Sequence, residues 1–361
     1  MIEHPAYPVE PWAIRETSLD LDKLAQSESV FALSNGHLGL RGNLDEGEPY
    51  GLPGSYLNGF YETRPLPYAE AGYGYPEDGQ SVVNVTDGKI IRLLIEDEPF
   101  DLRYGLLEHH ERVLDLRAGV LRREVLWTSP TGRQVRVTST RLVSFSQRAL
   151  AAIEYTVEAV GGTFPIVVQS ELVADQTMPA ASGDPRAAAA LAHPLESDFH
   201  EADGLDAVLV HHTRASGLRM AAAMSHVVEG PDGTEHAMRS FPDLARLTVT
   251  ADLAPGAPLR IAKLIGYGWS GERSASALRD QVGAATAAGL HTGFANLLAE
   301  QHEYLDRFWE RSDIELDGDP ELQQALRFGL WHTLQAGARG ERRAIAAKGL
   351  TGPGYDGHTF W

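Results

Sequence analysis

The sequence predicts a mainly β protein: an N-terminal β super-sandwich over residues 1–270, an α-helical linker over 271–315, and the first part of an α-helical domain over 316–361. Three observations carry this reading. Short apolar stretches separated by tight-turn residues recur from Val82 to about Trp269 without a helical period between them, as in antiparallel sheets packed face to face. At about Gly271 the apolar spacing changes from two residues to the helical 3.6. A well-capped helix then opens near Asp319, and the chain stops before a helical domain could be completed.

The first 28 residues or so, with Pro5, Pro8 and Pro11, read as an extended lead-in. From Val30, Val30–Leu33 and His37–Arg41 flank Ser34-Asn35-Gly36, and Asn-Gly is a strong hairpin signal. Residues 44–80 read as a long ordered loop, with Tyr56–Tyr61 as its buried part. Ser81–Thr86 and Lys89–Glu96 are expected to pair through an Asp87-Gly88 turn, and Val120–Thr128 with Arg133–Phe145 around Pro130-Thr131-Gly132. In the last of these Val135 and Val137 alternate with polar residues, the period of a half-exposed strand. Leu150–Val160, Phe164–Leu172, Ala207–Arg214, Arg219–Glu229, Arg246–Leu253 and Leu259–Tyr267 continue the series, and 174–203 reads as a surface excursion.

Three helices follow. The first begins at Ser274, carries Leu278, Val282 and Ala285, and ends at Gly289. The second, from about Gly293 to Arg311, aligns Leu297, Gln301, Tyr304, Leu305 and Phe308. The third has Asp319 as N-cap, Pro320 at the first position and Glu321 in the first turn. Leu322, Ala325, Leu326, Gly329, Leu330, Thr333 and Leu334 then form its apolar stripe, with Gly337 and Gly340 at its end.

A net charge of −19, from 50 acidic and 31 basic residues, disfavours nucleic acid and anionic membranes as partners. With no cysteine, disulfide and thiol chemistry are excluded. Neither a signal-peptide pattern nor an apolar run of about 18 residues is visible, so the cytoplasm is the expected location. His109-His110 and His211-His212 point to opposite faces of a strand and do not make metal sites, so no metal is expected. Phosphate-loop and G-x-S-x-G motifs are absent.

The richest stretch is the last, Ala347–Trp361, where Gly349, Gly352, Pro353, Gly354 and Gly357 rule out regular structure. Asp356 is its local acid, but Asp-Gly is common turn chemistry and the turn reading is preferred. His358, Phe360 and Trp361 either anchor the loop to the core or contact a ligand. Flat apolar faces beside polar groups suit a sugar ring or another neutral polar ligand. Because the chain stops directly after these residues, it is expected to be an incomplete protein cut inside its functional domain, with its apolar stripe over 322–334 exposed and prone to aggregate.

Val30–Asn43 (VFALSNGHLGLRGN), Tyr56–Gly59 (YLNG), Leu326–Gln335 (LRFGLWHTLQ) and the terminal AKGLTG…GHTFW together resemble glycoside hydrolase family 65, over nearly the whole chain. That family contains maltose, trehalose, kojibiose and nigerose phosphorylases and some trehalases. The resemblance implies an N-terminal β-sandwich, a helical linker and an (α/α)6 barrel, of which this chain would hold only the start. It implies inverting phosphorolysis of an α-linked glucose disaccharide to β-glucose 1-phosphate and glucose. Phosphate would be co-substrate and no cofactor would be needed. Trp361 matches the family's glucose-binding tryptophan, with Phe360 beside it and His358 as a further substrate contact. The general acid would lie beyond residue 361, so no catalytic residue is expected in this chain, and the chain alone is expected to be inactive and to bind sugars poorly. Members are often homodimers. An inverting trehalase, or a non-catalytic carbohydrate-binding or assembly module, are the alternatives.

Overall fold

The computed structural model describes residues 7–65, 74, 77–176, 191, 193–337 and 343–360, the side chains of 359 and 360 excepted. Two antiparallel sheets dominate. The larger runs in the order Val9–Glu10, Ala13–Glu16, Leu106–Asp115, Val120–Thr128, Gln134–Val143, Leu150–Ala159, Leu259–Ser270, Arg219–Glu229, Asp206–Thr213, Leu195–Asp203. The smaller runs Glu235–Phe241, Leu244–Leu253, Phe164–Val173, Ile91–Ile95, Glu98–Pro99. Alternation along the strands puts one face of each sheet into a shared core. Val125, Trp127, Val135, Val137, Ile153 and Tyr155 from the large sheet meet Ile91, Leu93, Ile166, Val168 and Leu247 from the small one.

The β-sandwich followed by helices matches the expected class, but several local expectations are corrected. The chain does not enter a strand at Val30: Leu24–Val30 is helix α1, and the strands of the Asn-Gly hairpin are Leu33–Ser34 and Leu38–Leu40. Asn35 Oδ1 accepts from the amides of His37 and Leu38, which lets Gly36 take the left-handed φ of 82° that the turn needs. Residues 44–80 are not one loop, since Ser55–Leu57, Tyr61–Pro65 and the start of Asp78–Val82 are strands. Asp87-Gly88 is not a hairpin turn. Asp78–Val82 pairs with Tyr61–Pro65, whereas Ile91–Ile95 pairs with Phe164–Val173. Asp87 is instead buried and binds the amide and ammonium of Lys89, at 2.7 and 2.9 Å. Leu195–Asp203, inside the expected surface excursion, is the edge strand of the large sheet.

Helix α2 (Ala275–Thr292) lies on the outer face of the large sheet, where Leu278 and Val282 pack on Val208, Val210, Ala221 and Ala223. The approach is close enough that a Cβ at Gly266 would lie 2.7 Å from the Val282 carbonyl oxygen. The helix ends at Gly293, one turn beyond the expected Gly289, which is instead pressed against Leu150. Helix α3 (Phe294–Ser312) buries Leu297, Gln301 and Leu305. Gln301 is the polar member of that stripe: its amide binds the carbonyls of Gly119 and Val143 and the amide of Phe145. Helix α4 (Pro320–Ala336) starts as expected, the Asp319 carboxylate accepting from the Leu322 amide at 2.9 Å. Its docked face is Gln323, Arg327, Trp331, Leu334 and Gln335. Of the predicted stripe, Leu334 is buried while Leu322, Ala325, Gly329 and Thr333 are exposed.

The beginning of the chain is tied to the large sheet by charge. Arg112 donates to both oxygens of Glu16, at 2.8 and 3.0 Å, and His110 Nε2 lies 2.8 Å from the same carboxylate. Burial pushes this carboxyl up, but His110 and Arg112 outweigh it and hold it at about 2 against an ordinary 4.5. His226, buried beside Lys263, is driven down to about 3 from 6.5. Both groups bind protons more readily in the unfolded chain. Each contribution to stability is therefore complete above the ordinary value and lost as pH falls toward the folded one. Urea-unfolding free energy is expected to drop from pH 6.5 down to pH 2, with Glu16 alone worth roughly 3 kcal/mol at neutral pH. Glu16→Gln should flatten the part below pH 4.5; an unchanged slope there would remove Glu16 from this role.

Candidate functional site

The glycine-rich end of the chain folds as a looped ribbon. Ile345–Ala346 pairs antiparallel with Thr359–Phe360, and the Ala347 amide donates to the His358 carbonyl at 2.7 Å. Between them Gly349, Leu350, Tyr355, Asp356 and Gly357 all have left-handed φ between 55° and 69°. Three of these are not glycine, so the ribbon must be held from outside.

The Asn35–Asn43 block holds it. Leu350 is buried over Gly39, where an added Cβ would sit 2.4 Å from Leu350 Cβ. Arg41 reaches through to the Thr351 carbonyl at 2.5 Å. The amide of Ser34 donates to the Gln335 side chain at the end of α4. Asn58 Nδ2 donates to the Gly36 and Ala344 carbonyls, at 3.0 and 3.3 Å. The four sequence blocks that carry the resemblance, separated by up to 310 positions, thus meet at one end of the sandwich.

Beside the ribbon is a cavity of about 860 Å³. One wall is the Tyr61–Pro65 and Asp78–Val82 pair, another is Trp269 and Arg343, and the third is the ribbon from Ala346 to His358. Asp356 is bound by Arg64 at 2.8 Å and by the Ser81 hydroxyl at 3.2 Å. Its carboxylate thus ties the ribbon to the neighbouring strands, in keeping with the turn reading. The Arg343 guanidinium lies 3.6 Å above the Trp269 ring and donates to the Asn58 carbonyl at 2.7 Å, and the Trp269 indole donates to the same oxygen at 3.1 Å. Arginine forks, aromatic faces and backbone groups around one concavity suit a neutral polyhydroxyl ligand.

Of the three sequence-predicted ligand residues, His358 lines this cavity and is exposed. Trp361 and the side chain of Phe360 lie outside the described residues. Sequence reasoning missed Arg64, Trp269 and Arg343. Nothing local marks Arg64, whose partner Asp356 is 292 positions away. Trp269 was readable only as the end of a strand. The histidine pairs sit as expected: His110 faces Glu16 and His211 faces Asp243 from buried positions, while their neighbours His109 and His212 point outward. Among the described residues no group of three or more His, Asp and Glu is arranged to hold a metal ion, and no helix is long and apolar enough to cross a membrane.

Comparison with known proteins places these motifs. Residues 14–308 match the model of the glycosyl hydrolase family 65 N-terminal domain, and residues 327–361 match that of the family 65 central catalytic domain. The chain is 62% identical to an uncharacterized glycosyl hydrolase of Mycobacterium leprae, over 100% of this chain and 46% of that protein. It is 35% identical to an α,α-trehalose phosphorylase of Thermoanaerobacter brockii, over 99% of this chain and 47% of that protein. A solved structure of a human-microbiome protein assigned as a kojibiose phosphorylase superposes with a TM-score of 0.88 at 25% identity, over 99% of this chain and 46% of that one. The chain therefore spans just under half the length of these relatives.

Proposed function

The chain belongs to glycosyl hydrolase family 65, and on that basis we propose that it is the N-terminal portion of an inverting disaccharide phosphorylase. The substrates are an α-linked glucose disaccharide and inorganic phosphate, and the products β-glucose 1-phosphate and glucose. The observation that carries this reading is the 35% identity to a trehalose phosphorylase across 99% of the chain. The cavity beside the terminal ribbon supports it, because the ribbon as far as His358 lines a space large enough for a sugar. On the same reading the domains are the sandwich to 270, the linker to 315 and the opening of an (α/α)6 barrel. The whole protein is a cytoplasmic homodimer.

A general acid must protonate the leaving oxygen while phosphate attacks the opposite face of the anomeric carbon. Asp356 does not serve as that acid, since Arg64 and Ser81 already bind its carboxylate. On the likeness to the family, whose members compared above are about twice this length, the acid is assigned to the part of the protein beyond residue 361, and this chain alone is proposed to be inactive. The full-length protein is to be incubated with maltose, trehalose, kojibiose and nigerose, with and without phosphate, and assayed for glucose 1-phosphate. Phosphate-dependent product from one sugar is the expected result. Free glucose released from trehalose without phosphate would make the protein a hydrolase and overturn the proposal, as would turnover of none of the four.

A further inference from the structure

The strands Tyr61–Pro65 and Asp78–Val82 form a two-stranded sheet of their own, outside both main sheets. The cross-strand pair buried on this hairpin is polar: Glu62 is 5% exposed, and Ser81, directly opposite it, is fully buried. Residues two apart on a strand share a face, so Arg64 stands on the same side as Glu62. At one end of the hairpin the Glu62 carboxylate is held by backbone amides. Its Oε1 accepts from Thr63 and Ser216, both at 2.7 Å, and its Oε2 from Ala215 at 3.0 Å, while the Ser216 hydroxyl donates to the Tyr61 carbonyl at 2.7 Å. Ala215 and Ser216 lie in the turn between Asp206–Thr213 and Arg219–Glu229, two paired strands of the large sheet. At the other end Arg64 donates to the Ser81 hydroxyl at 3.0 Å and to Asp356 at 2.8 Å, and Ser81 donates to the other Asp356 oxygen at 3.2 Å. We propose that this hairpin is a bracket that carries the position of the large sheet to the terminal ribbon, with Glu62, Arg64 and Ser81 as positioning residues for the segment that Asp356 leads into.

A hairpin made to bury apolar surface would turn apolar residues inward. This one buries a carboxylate and a hydroxyl, whose worth lies in directional bonds rather than in area removed from water. The amides of a turn between two paired strands are fixed in place, so a carboxylate bound to them inherits their position. The far end meets the ribbon where its backbone is strained: Tyr355 and Asp356 are non-glycine residues at φ of 57° and 55°. Such a turn keeps its shape only where the surroundings fix it. Here both Asp356 oxygens are bound by the hairpin, and an added Cβ at Gly357 would lie 2.5 Å from Val82 Cβ. His358 follows directly and lines the cavity; its amide donates to Tyr355 at 3.0 Å and its carbonyl accepts from Ala347 at 2.7 Å. The Arg64 and Asp356 side chains are 26% and 19% exposed, so their pairing adds little to overall stability. What it fixes is where the chain passes into His358. On the phosphorylase reading, on which the predicted effect on turnover rests, a shift of about 1 Å there is worth about 100-fold in rate.

The test uses the full-length protein. Hydrogen exchange is read without substrate, and kcat and KM are read separately with the sugar that the parent turns over. Arg64→Gln and Asp356→Asn should each speed exchange at the Ala347 and His358 amides about tenfold, with the sandwich strands unchanged. Each should lower kcat by about 10- to 100-fold and move KM less. The double variant should be no worse than the worse single, because both remove one contact. Arg64→Lys keeps the charge and should recover part of both losses. At the sheet end, Ser216→Ala removes the bond to Tyr61, and Glu62→Gln sets a donor against the turn amides. Each should loosen the same ribbon amides, and the serine variant decides if the glutamate variant does not fold. Arg133→Gln, which breaks a pair with Glu96 elsewhere in the sandwich, is the control and should change neither readout. Unchanged ribbon exchange on breaking either end, faster exchange spread over the sandwich, single losses that multiply in the double variant, or full turnover with a loosened ribbon each overturns the proposal. If the parent turns over none of the sugars, the phosphorylase reading falls, and the exchange data still decide whether the hairpin positions the ribbon.

Discussion

Arg41→Ala is expected to destabilise the protein by about 3–5 kcal/mol, the range for breaking one side of a buried, hydrogen-bonded charge pair. Arg41 is 2% exposed. Its guanidinium donates to the carbonyls of Ala25, Leu52 and Thr351 and to the Ser29 hydroxyl, and lies 3.5 Å from the Glu28 carboxylate. Three stretches of chain therefore share one cation: α1, the loop before Ser55–Leu57, and the terminal ribbon. Alanine would leave these acceptors buried without that donor and Glu28 without its counter-charge, and burial prevents water from replacing both. Arg41→Lys retains the charge but loses the fork, so an intermediate loss is expected. Urea denaturation followed by tryptophan fluorescence measures both, and a loss below about 1 kcal/mol for alanine would show that the contacts are dispensable.

Gly39→Val should act on the ribbon alone. Gly39 lies in a strand with no left-handed φ, so valine suits its backbone. The obstruction is Leu350, whose Cβ and carbonyl oxygen would lie 2.4 and 2.5 Å from the new Cβ. One of these atoms is backbone, so the ribbon has to shift rather than a side chain turn away. The expected result is faster hydrogen exchange at the amides of Ala347, Gly349, Thr351 and His358, all hydrogen-bonded in the ribbon, with the sandwich strands unchanged. On the proposed phosphorylase reading, disaccharide turnover by the full-length protein should fall by about 100-fold or more, as a displaced substrate contact would cause. Unchanged exchange in the ribbon would show that its position does not depend on Gly39.

The contrast between these two residues and the cavity explains what the sequence could reveal. Strand alternation at Val135 and Val137, the cap at Asp319 and the Asn35-Gly36 turn are local signals, and the structure follows them. Asp87-Gly88 carried the same kind of signal, but its carboxylate was taken by Lys89 in the core, and the two flanking segments were claimed by different sheets. The face of α4 was misread because its docked side is built from Gln323, Arg327 and Gln335, polar residues that gain their place by specific partners rather than by hydropathy. Arg327, for instance, binds both oxygens of Asp313, at 2.8 and 2.7 Å. The cavity was legible only in part. His358 lies in a conspicuous stretch, whereas Arg64, Trp269 and Arg343 meet only through tertiary structure.

Because Ser34 and Arg41 find partners 301 and 310 positions later, the site end of the sandwich is a late event in the life of each molecule. At about 5–20 residues per second on the ribosome, the groove over Gly39 waits roughly 15 to 60 seconds for Leu350. During that interval the Gly39 face of the Leu38–Leu40 strand, on which Leu350 later packs, is part of a nascent surface that the ribbon does not yet cover. Premature collapse there would compete with productive assembly. Yield in the cell should therefore depend on how quickly the ribbon arrives, and slow codons or pauses ahead of residue 343 should cost soluble protein without altering the stability of the molecules that do fold.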